Sequence, residues 1–252
     1  MFAEDEARLL VANAGSPAEL AALVDRRVAG FPLEHILGWA DFCGRRIVVA
    51  PGVFVPRRRT ELLVRTAIDA ATGIRLRSEN PAAPLRIVDL CCGSGAIGAV
   101  LADALDPIEL YAADVDPVAT HCARRNLDGI GTVVEGDLFD PLPDHLLSIV
   151  DLLVANAPYV PTTEIELMPP EARLHEARVA LDGGGDGLDV HRRVAAAALS
   201  WLRPGGALLI EASERLAPTA VELFTSNGLA VRMASDEALN ATVVVGVKRE
   251  LA

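Results

Sequence analysis

Leu85-Arg86-Ile87-Val88-Asp89-Leu90-Cys91-Cys92-Gly93-Ser94-Gly95-Ala96-Ile97-Gly98 is the stretch that decides the fold. Its first six residues read as a short apolar strand. Gly93 to Gly98 then satisfy G-x-G-x-x-G, and a helix follows through Ile97, Val100 and Leu101. Glycines there let the backbone approach a ligand closely, and the helix N-terminus offers free N–H groups. Dinucleotide enzymes use the same device, and a bare strand–helix turn needs no ligand, so the loop alone marks only a candidate nucleoside site.

Downstream, strands and helices alternate. Glu109 to Asp114, Thr132 to Gly136, Ile149 to Ala155 and Ala207 to Glu211 read as strands, with helices around Val118 to Leu127 and Leu188 to Leu202. That rhythm implies a doubly wound parallel sheet. Leu229 to Ala234 and Ala241 to Val247 lie close enough for an antiparallel closing pair. Between Pro161 and Gly187 runs a long, polar, glycine-rich stretch, of the kind that is functional or mobile in a compact domain.

Upstream, the chain reads as helical. Ser16-Pro17-Ala18-Glu19 is a capping box with proline at the first helical position, and Pro32 to Leu37 forms a third short helix before Gly38. Phe42 to Val49 and Gly52 to Val55 are expected as a hairpin turning at Ala50-Pro51-Gly52, and Thr60 as the cap of a further helix. The resulting division is a helical region with a hairpin at 1–76, a linker at 77–84 and an α/β domain at 85–252.

Bulk properties narrow the function. The 252 residues carry a formal charge of −12, which disfavours a protein whose affinity comes mainly from nucleic-acid phosphates. No apolar run reaches the roughly 18 residues of a membrane span, and the acidic Met1-Phe2-Ala3-Glu4-Asp5-Glu6 does not resemble a basic leader, so a cytoplasmic protein is expected. Cys43, Cys91, Cys92 and Cys122 show no C-x-x-C spacing. No metal site is expected, and the thiols read as reduced packing groups.

Three strand ends outline the nucleoside pocket. Asp89 precedes the glycine loop. Asp114, about 21 residues beyond Gly93, can accept both ribose hydroxyls, whereas Asp116 is better placed as a helix cap before Pro117. Asp137 can accept an adenine amine or stand in water as a loop carboxylate.

Asn156-Ala157-Pro158-Tyr159 follows the fourth strand, and here the sequence resembles the amino-methylating enzymes marked by Asn/Asp-Pro-Pro-Tyr. Within them it is similar to the protein-(glutamine-N5) methyltransferases that modify peptide-chain release factors. Pro32-Leu33-Glu34-His35-Ile36-Leu37-Gly38, Pro51-Gly52-Val53-Phe54-Val55-Pro56-Arg57, Gly136-Asp137-Leu138-Phe139, Glu176 and Asp186-Gly187-Leu188-Asp189 carry the likeness along most of the chain. The resemblance implies a mostly parallel, seven-stranded methyltransferase sheet, S-adenosyl-L-methionine as methyl donor and a release factor or similar glutamine-bearing protein as partner. It also implies cofactor contacts from Asp89, Cys91, Cys92, Gly93, Ser94, Gly95, Asp114, Asp137, Leu138 and Asn156. The acceptor slot falls to Asn156, Ala157, Pro158, Tyr159 and Phe54.

The slot has a chemical rationale. An amide nitrogen is a poor nucleophile because its lone pair is delocalised into the carbonyl. Accepting both N–H bonds, at the Asn156 side-chain oxygen and the carbonyl of residue 157, orients the nitrogen for in-line attack. Ala157 stands where the family has proline, which keeps the carbonyl but loses the fixed φ; Pro158 still holds residue 157 extended. Arg58-Arg59 replaces the usual Pro-Glu. Competing readings are a nucleic-acid amino-methyltransferase, a nicotinamide oxidoreductase and a non-catalytic binding protein.

Overall fold

The structure, a computed structural model, describes residues 3–250. Three helices open it: α1 (Ala3–Asn13), α2 (Pro17–Val28) and α3 (Leu33–Leu37). Ser16 caps α2 by accepting from the Glu19 amide at 3.2 Å, with Pro17 in the first turn. The Glu19 carboxylate reaches back to the Gly15 amide at 2.7 Å, one residue beyond the partner a capping box would use. Leu10, Leu33 and Ile36 bury a small separate core between these helices.

The hairpin differs from expectation. Its strands are β1 (Trp39–Phe42) and β2 (Arg45–Val48), turning at Cys43-Gly44 rather than at Ala50-Pro51-Gly52. Both turn residues have positive φ, 53° and 76°, which matches the twist of a two-residue hairpin loop. Gly52 instead bridges in parallel to Glu176 of the distant 161–187 stretch.

From there the chain builds α4 (Glu61–Arg77), β3 (Leu85–Leu90), α5 (Ala96–Leu105), β4 (Ile108–Asp114), α6 (Pro117–Asn126), β5 (Thr132–Glu135) and β6 (Val150–Ala155). Then follow α7 (Pro170–His175), α8 (Asp189–Trp201), β7 (Leu202–Ala212), α9 (Ala217–Ser226), β8 (Ala230–Asp236) and β9 (Ala241–Val247). The seven-stranded sheet has the order β5-β4-β3-β6-β7-β9-β8, parallel except for the two pairings of β9. It is the doubly wound methyltransferase sheet with the closing antiparallel pair that the sequence implied.

Two cores sandwich it. On one face the hairpin, α4, α5 and α6 share a continuous cluster from Phe42 and Ile47 through Leu63 to Ile87 and Val245. On the other, α8 and α9 bury Val194, Trp201 and Phe224 against Val88, Leu153 and Leu208. Strand β6 is buried along its whole length, hence its uninterrupted Val-Asp-Leu-Leu-Val-Ala run. Its one charge, Asp151, accepts from the Arg86 amide at 2.8 Å and pairs with Arg203 at the end of the sheet remote from the glycine loop.

The order in which strands are laid down reverses between β3 and β6, since β4 and β5 lie on one side of β3 and the later strands on the other. Ligands of open α/β sheets sit at the carboxyl ends of strands at such a switch point. The register sets Leu90 beside Ala155, so the residues after β3 and those after β6 emerge side by side.

Candidate active site

The glycine loop leaves β3 through Cys91 in the left-handed region (φ 55°), and Gly93 (φ 56°) and Gly95 (φ 76°) continue it. A Cβ on Gly93 would meet nothing within 4 Å, because that side faces open space; one on Gly95 would come within 3.0 Å of Leu127, which caps the end of α6. The first position therefore leaves backbone open to a ligand, and the second seats the loop on its neighbouring helix.

Asp89 is wholly buried. Its Oδ2 accepts from the Gly98 amide at 3.0 Å and its Oδ1 has no partner. Burial, aided by the nearby Asp114 charge, pushes its carboxyl up to about 7. Asp114 ends β4 and accepts from the Gly93 and Asp116 amides at 2.8 and 2.9 Å, while burial raises its pKa as well. Asp116 caps α6 through the Val118 amide, as its spacing before Pro117 predicts. Asp137 pairs with Arg193 of α8 at 2.8 Å and is half exposed.

A cavity of about 260 Å³ joins these elements. Cys91, Cys92, Gly93, Ser94, Asp114, Asp137, Leu138, Asn156, Pro158 and Phe54 line it. Asp89, Gly95, Ala157 and Tyr159 stand behind the lining. Burial drives the Cys91 and Cys92 thiols far above their usual range, which makes them inert packing groups.

The tetrapeptide is held by contacts that local sequence does not reveal. The Asn156 Nδ2 donates to Thr60 Oγ1 at 3.4 Å, leaving its oxygen as the free acceptor. Thr60 makes no side-chain cap to α4, contrary to the sequence expectation, because its hydroxyl faces Asn156 instead. Tyr159 donates to Glu211 at the end of β7 at 3.0 Å, and Arg59 pairs with the same carboxylate oxygen at 3.2 Å. Phe54 lies under the Arg57 guanidinium, 4.9 Å from its ring centre. Arg57 in turn pairs with the buried Glu176 at 2.5 Å, and Glu176 accepts from the Val55 amide at 3.2 Å. Thr60, Arg59 and Glu211 were not among the residues the sequence singled out for the site. Local signals for them are slight: Thr60-Glu61 matches the family pattern and Arg59 departs from it.

The 161–187 stretch is more ordered than its composition suggests. It forms two 3-10 turns around α7 and then runs back alongside the chain after Tyr159. The Val160 amide donates to the Leu181 carbonyl and the Gly183 amide to the Val160 carbonyl, and Thr162 donates to Asp182 at 2.6 Å. A Cβ on Gly183 would lie 2.7 Å from the Tyr159 Cα, so the two backbones touch.

The model of the methyltransferase small domain family matches residues 47–194. Release factor glutamine methyltransferase of Geobacter sulfurreducens is 40% identical over 219 residues, covering 84% of this chain and 72% of the relative. The chain belongs to the release factor glutamine methyltransferase family. This family likeness extends to an enzyme named for another acceptor: the 4-amino-L-phenylalanine/4-methylamino-L-phenylalanine methyltransferase of Streptomyces pristinaespiralis is 37% identical, over 81% of this chain and 70% of its own. Among solved structures, the Thermus thermophilus 16S rRNA N2 G1207 methyltransferase in complex with AdoMet and guanosine overlays with a TM-score of 0.56 at 20% identity, over 84% of this chain and 50% of that one. That overlay places the chain in the same α/β fold. No helix among the described residues is long and apolar enough to cross a membrane.

Proposed function

We propose that the protein transfers a methyl group from S-adenosyl-L-methionine to the side-chain amide nitrogen of a glutamine in a peptide-chain release factor. The observation that carries this reading is Asn156, which lines the cavity and donates its amide NH₂ to Thr60, so that its oxygen is left as an acceptor for substrate N–H.

The cavity suits the methyl donor. Behind its lining lies an unpartnered carboxylate oxygen of Asp89, its loop offers open backbone at Gly93, and Asp114 closes the neighbouring strand. Such a lining favours a cationic nucleoside. S-adenosyl-L-methionine, when bound, supplies an electrophilic methyl group on a positively charged sulfur. Gly93 and Ser94 would hold it, with Gly95 setting their loop on α6; Cys91, Cys92 and Leu138 would pack beside it, and Asp114 and Asp137 would receive its ribose and adenine.

The protein's own part is to aim the acceptor. Asn156 Oδ1 and the Ala157 carbonyl take the two amide hydrogens, while Phe54, Pro158 and Tyr159 flank the planar amide. No strong base is needed, because the N-methylated, N-protonated amide is highly acidic and loses its proton to water. Residues 1–76, with the linker at 77–84, are assigned to recognising the partner protein, and residues 85–252 to catalysis. Acting on a release factor places the enzyme in the cytoplasm.

Incubation with labelled S-adenosyl-L-methionine and candidate release factors, read by mass spectrometry, tests the proposal. A methylated glutamine is the expected product. Label in RNA, DNA or a free aryl amine instead, with none in protein, overturns the substrate reading.

A further inference from the structure

The 3-10 turn Arg58–Thr60 touches the tetrapeptide at both ends. Thr60 holds the Asn156 amide; Arg59 lies over the Tyr159 ring, 5.5 Å from its centre, and pairs with the Glu211 carboxylate that receives the Tyr159 hydroxyl. The Glu211 side chain is 2% exposed, and one of its oxygens has no hydrogen-bond partner. A carboxylate so buried needs a cation close by. His191 does not serve, since it faces the Glu211 backbone carbonyl rather than its side chain, and burial holds its ring neutral down to about pH 4. Arg59 is the cation at Glu211.

The same tetrapeptide lacks a constraint. Pro158 restricts residue 157 on its C-terminal side, but Ala157 leaves φ of that residue soft where a proline would fix it. That φ sets the angle between the Asn156 side chain and the Ala157 carbonyl, the two acceptors of the slot. Arg59 itself stands where the family pattern has glutamate, a residue that could not neutralise Glu211.

We propose that Arg59 is a positioning residue: through Glu211 it tethers Tyr159 and so supplies, from outside the tetrapeptide, the rigidity that a proline at 157 would supply from within. The two departures, Arg59 and Ala157, form one coupled device. The inference rests on the reading of Asn156–Tyr159 as the acceptor slot.

A double-mutant cycle tests it, with R59A, A157P and R59A/A157P made in the full chain. Two readouts are taken: kcat and KM for glutamine methylation, and hydrogen exchange at the Asn156, Tyr159 and Val160 amides in the free protein. In the natural chain R59A should lower kcat by about 10- to 100-fold, the scale of a slightly misplaced reactant. KM for the methyl donor should move little, and exchange at those amides should rise about tenfold or more. With proline at 157 the same change should cost kcat and exchange less than about threefold. R59K, which keeps the charge, should recover most of the loss. Should R59A fold poorly, Y159F keeps the ion pair and cuts only the tether, and should show the same dependence on residue 157. Equal effects of Arg59 loss in both backgrounds would overturn the proposal, as would an R59A protein that loses thermal stability but keeps kcat. If the natural chain methylates no glutamine, the functional reading fails while the exchange data still decide the tether.

Discussion

Methyl-donor binding should depend on pH through Asp89, a group that stands behind the cavity lining. Its carboxyl is wholly buried, takes one backbone hydrogen bond at Oδ2 and titrates near 7 in the free protein. A positively charged ligand beside it favours the ionised form. If only that form binds well, affinity follows the ionised fraction, about 0.1 at pH ~6 and about 0.9 at pH ~8. S-adenosyl-L-methionine should therefore bind roughly tenfold more tightly at the higher pH, measured by calorimetry. D89N should flatten the profile. Stability of the free protein should move oppositely. A folded-state pKa raised from 3.8 to about 7 means the unfolded chain releases this proton first, so stability falls as pH rises across that window and is level above it. At about 1.4 kcal/mol per pH unit the group contributes a loss on the order of 4 kcal/mol. The nearby Asp114, also raised, adds to the same trend. A donor affinity that is flat between pH 6 and 8 in the natural chain, or equally steep in D89N, would refute this.

Three further outcomes are expected. N156A should reduce kcat by about 100- to 1,000-fold, the scale of losing one aimed polar contact, while calorimetry finds donor affinity changed only a few-fold. G183A should misplace the Tyr159 backbone, since its Cβ would sit 2.7 Å from the Tyr159 Cα; a stability loss of about 1–3 kcal/mol in urea melts and a fall in kcat are expected together. Cys43 is exposed in its turn, but partial desolvation of its thiol, with the nearby Glu61, pushes it up to about 11. Alkylation followed by mass spectrometry should find it slow at neutral pH and accelerating towards pH ~11, with the deeper Cys91 and Cys92 unmodified throughout.

Strands were legible in the sequence because the central ones are buried on both faces and read as unbroken apolar runs. The carboxylates at their ends were legible because the chain must leave each strand at the same edge of the sheet. The hairpin was harder. Cys43-Gly44 is not a familiar turn pair, whereas Pro51-Gly52 looks like one, yet Gly52 is taken up by its bridge to Glu176. Helix α9 went unread, since Pro218 in its first turn and the spaced Ala220 and Phe224 make only a short, weak stripe. Thr60 was seen, but as a cap: nothing local says that a hydroxyl before a helix will serve a distant asparagine. The meeting of Arg59, Tyr159 and Glu211 depends on three separate segments converging, and only tertiary structure supplies that.

The ladder between β3 and β6 has a historical consequence. Since Leu90 is paired with Ala155, the donor loop and the acceptor tetrapeptide are neighbours by sheet register, whatever happens to the chain between them. Insertions from β4 through β5 can lengthen that excursion without separating the two. A single residue lost from β6 would turn every one of its side chains to the opposite face. Meanwhile the 161–187 stretch and the Arg58–Thr60 turn approach the slot from outside the sheet and are free to be rewritten. A lineage built this way can change which amine it receives while the methyl-delivering half stays untouched.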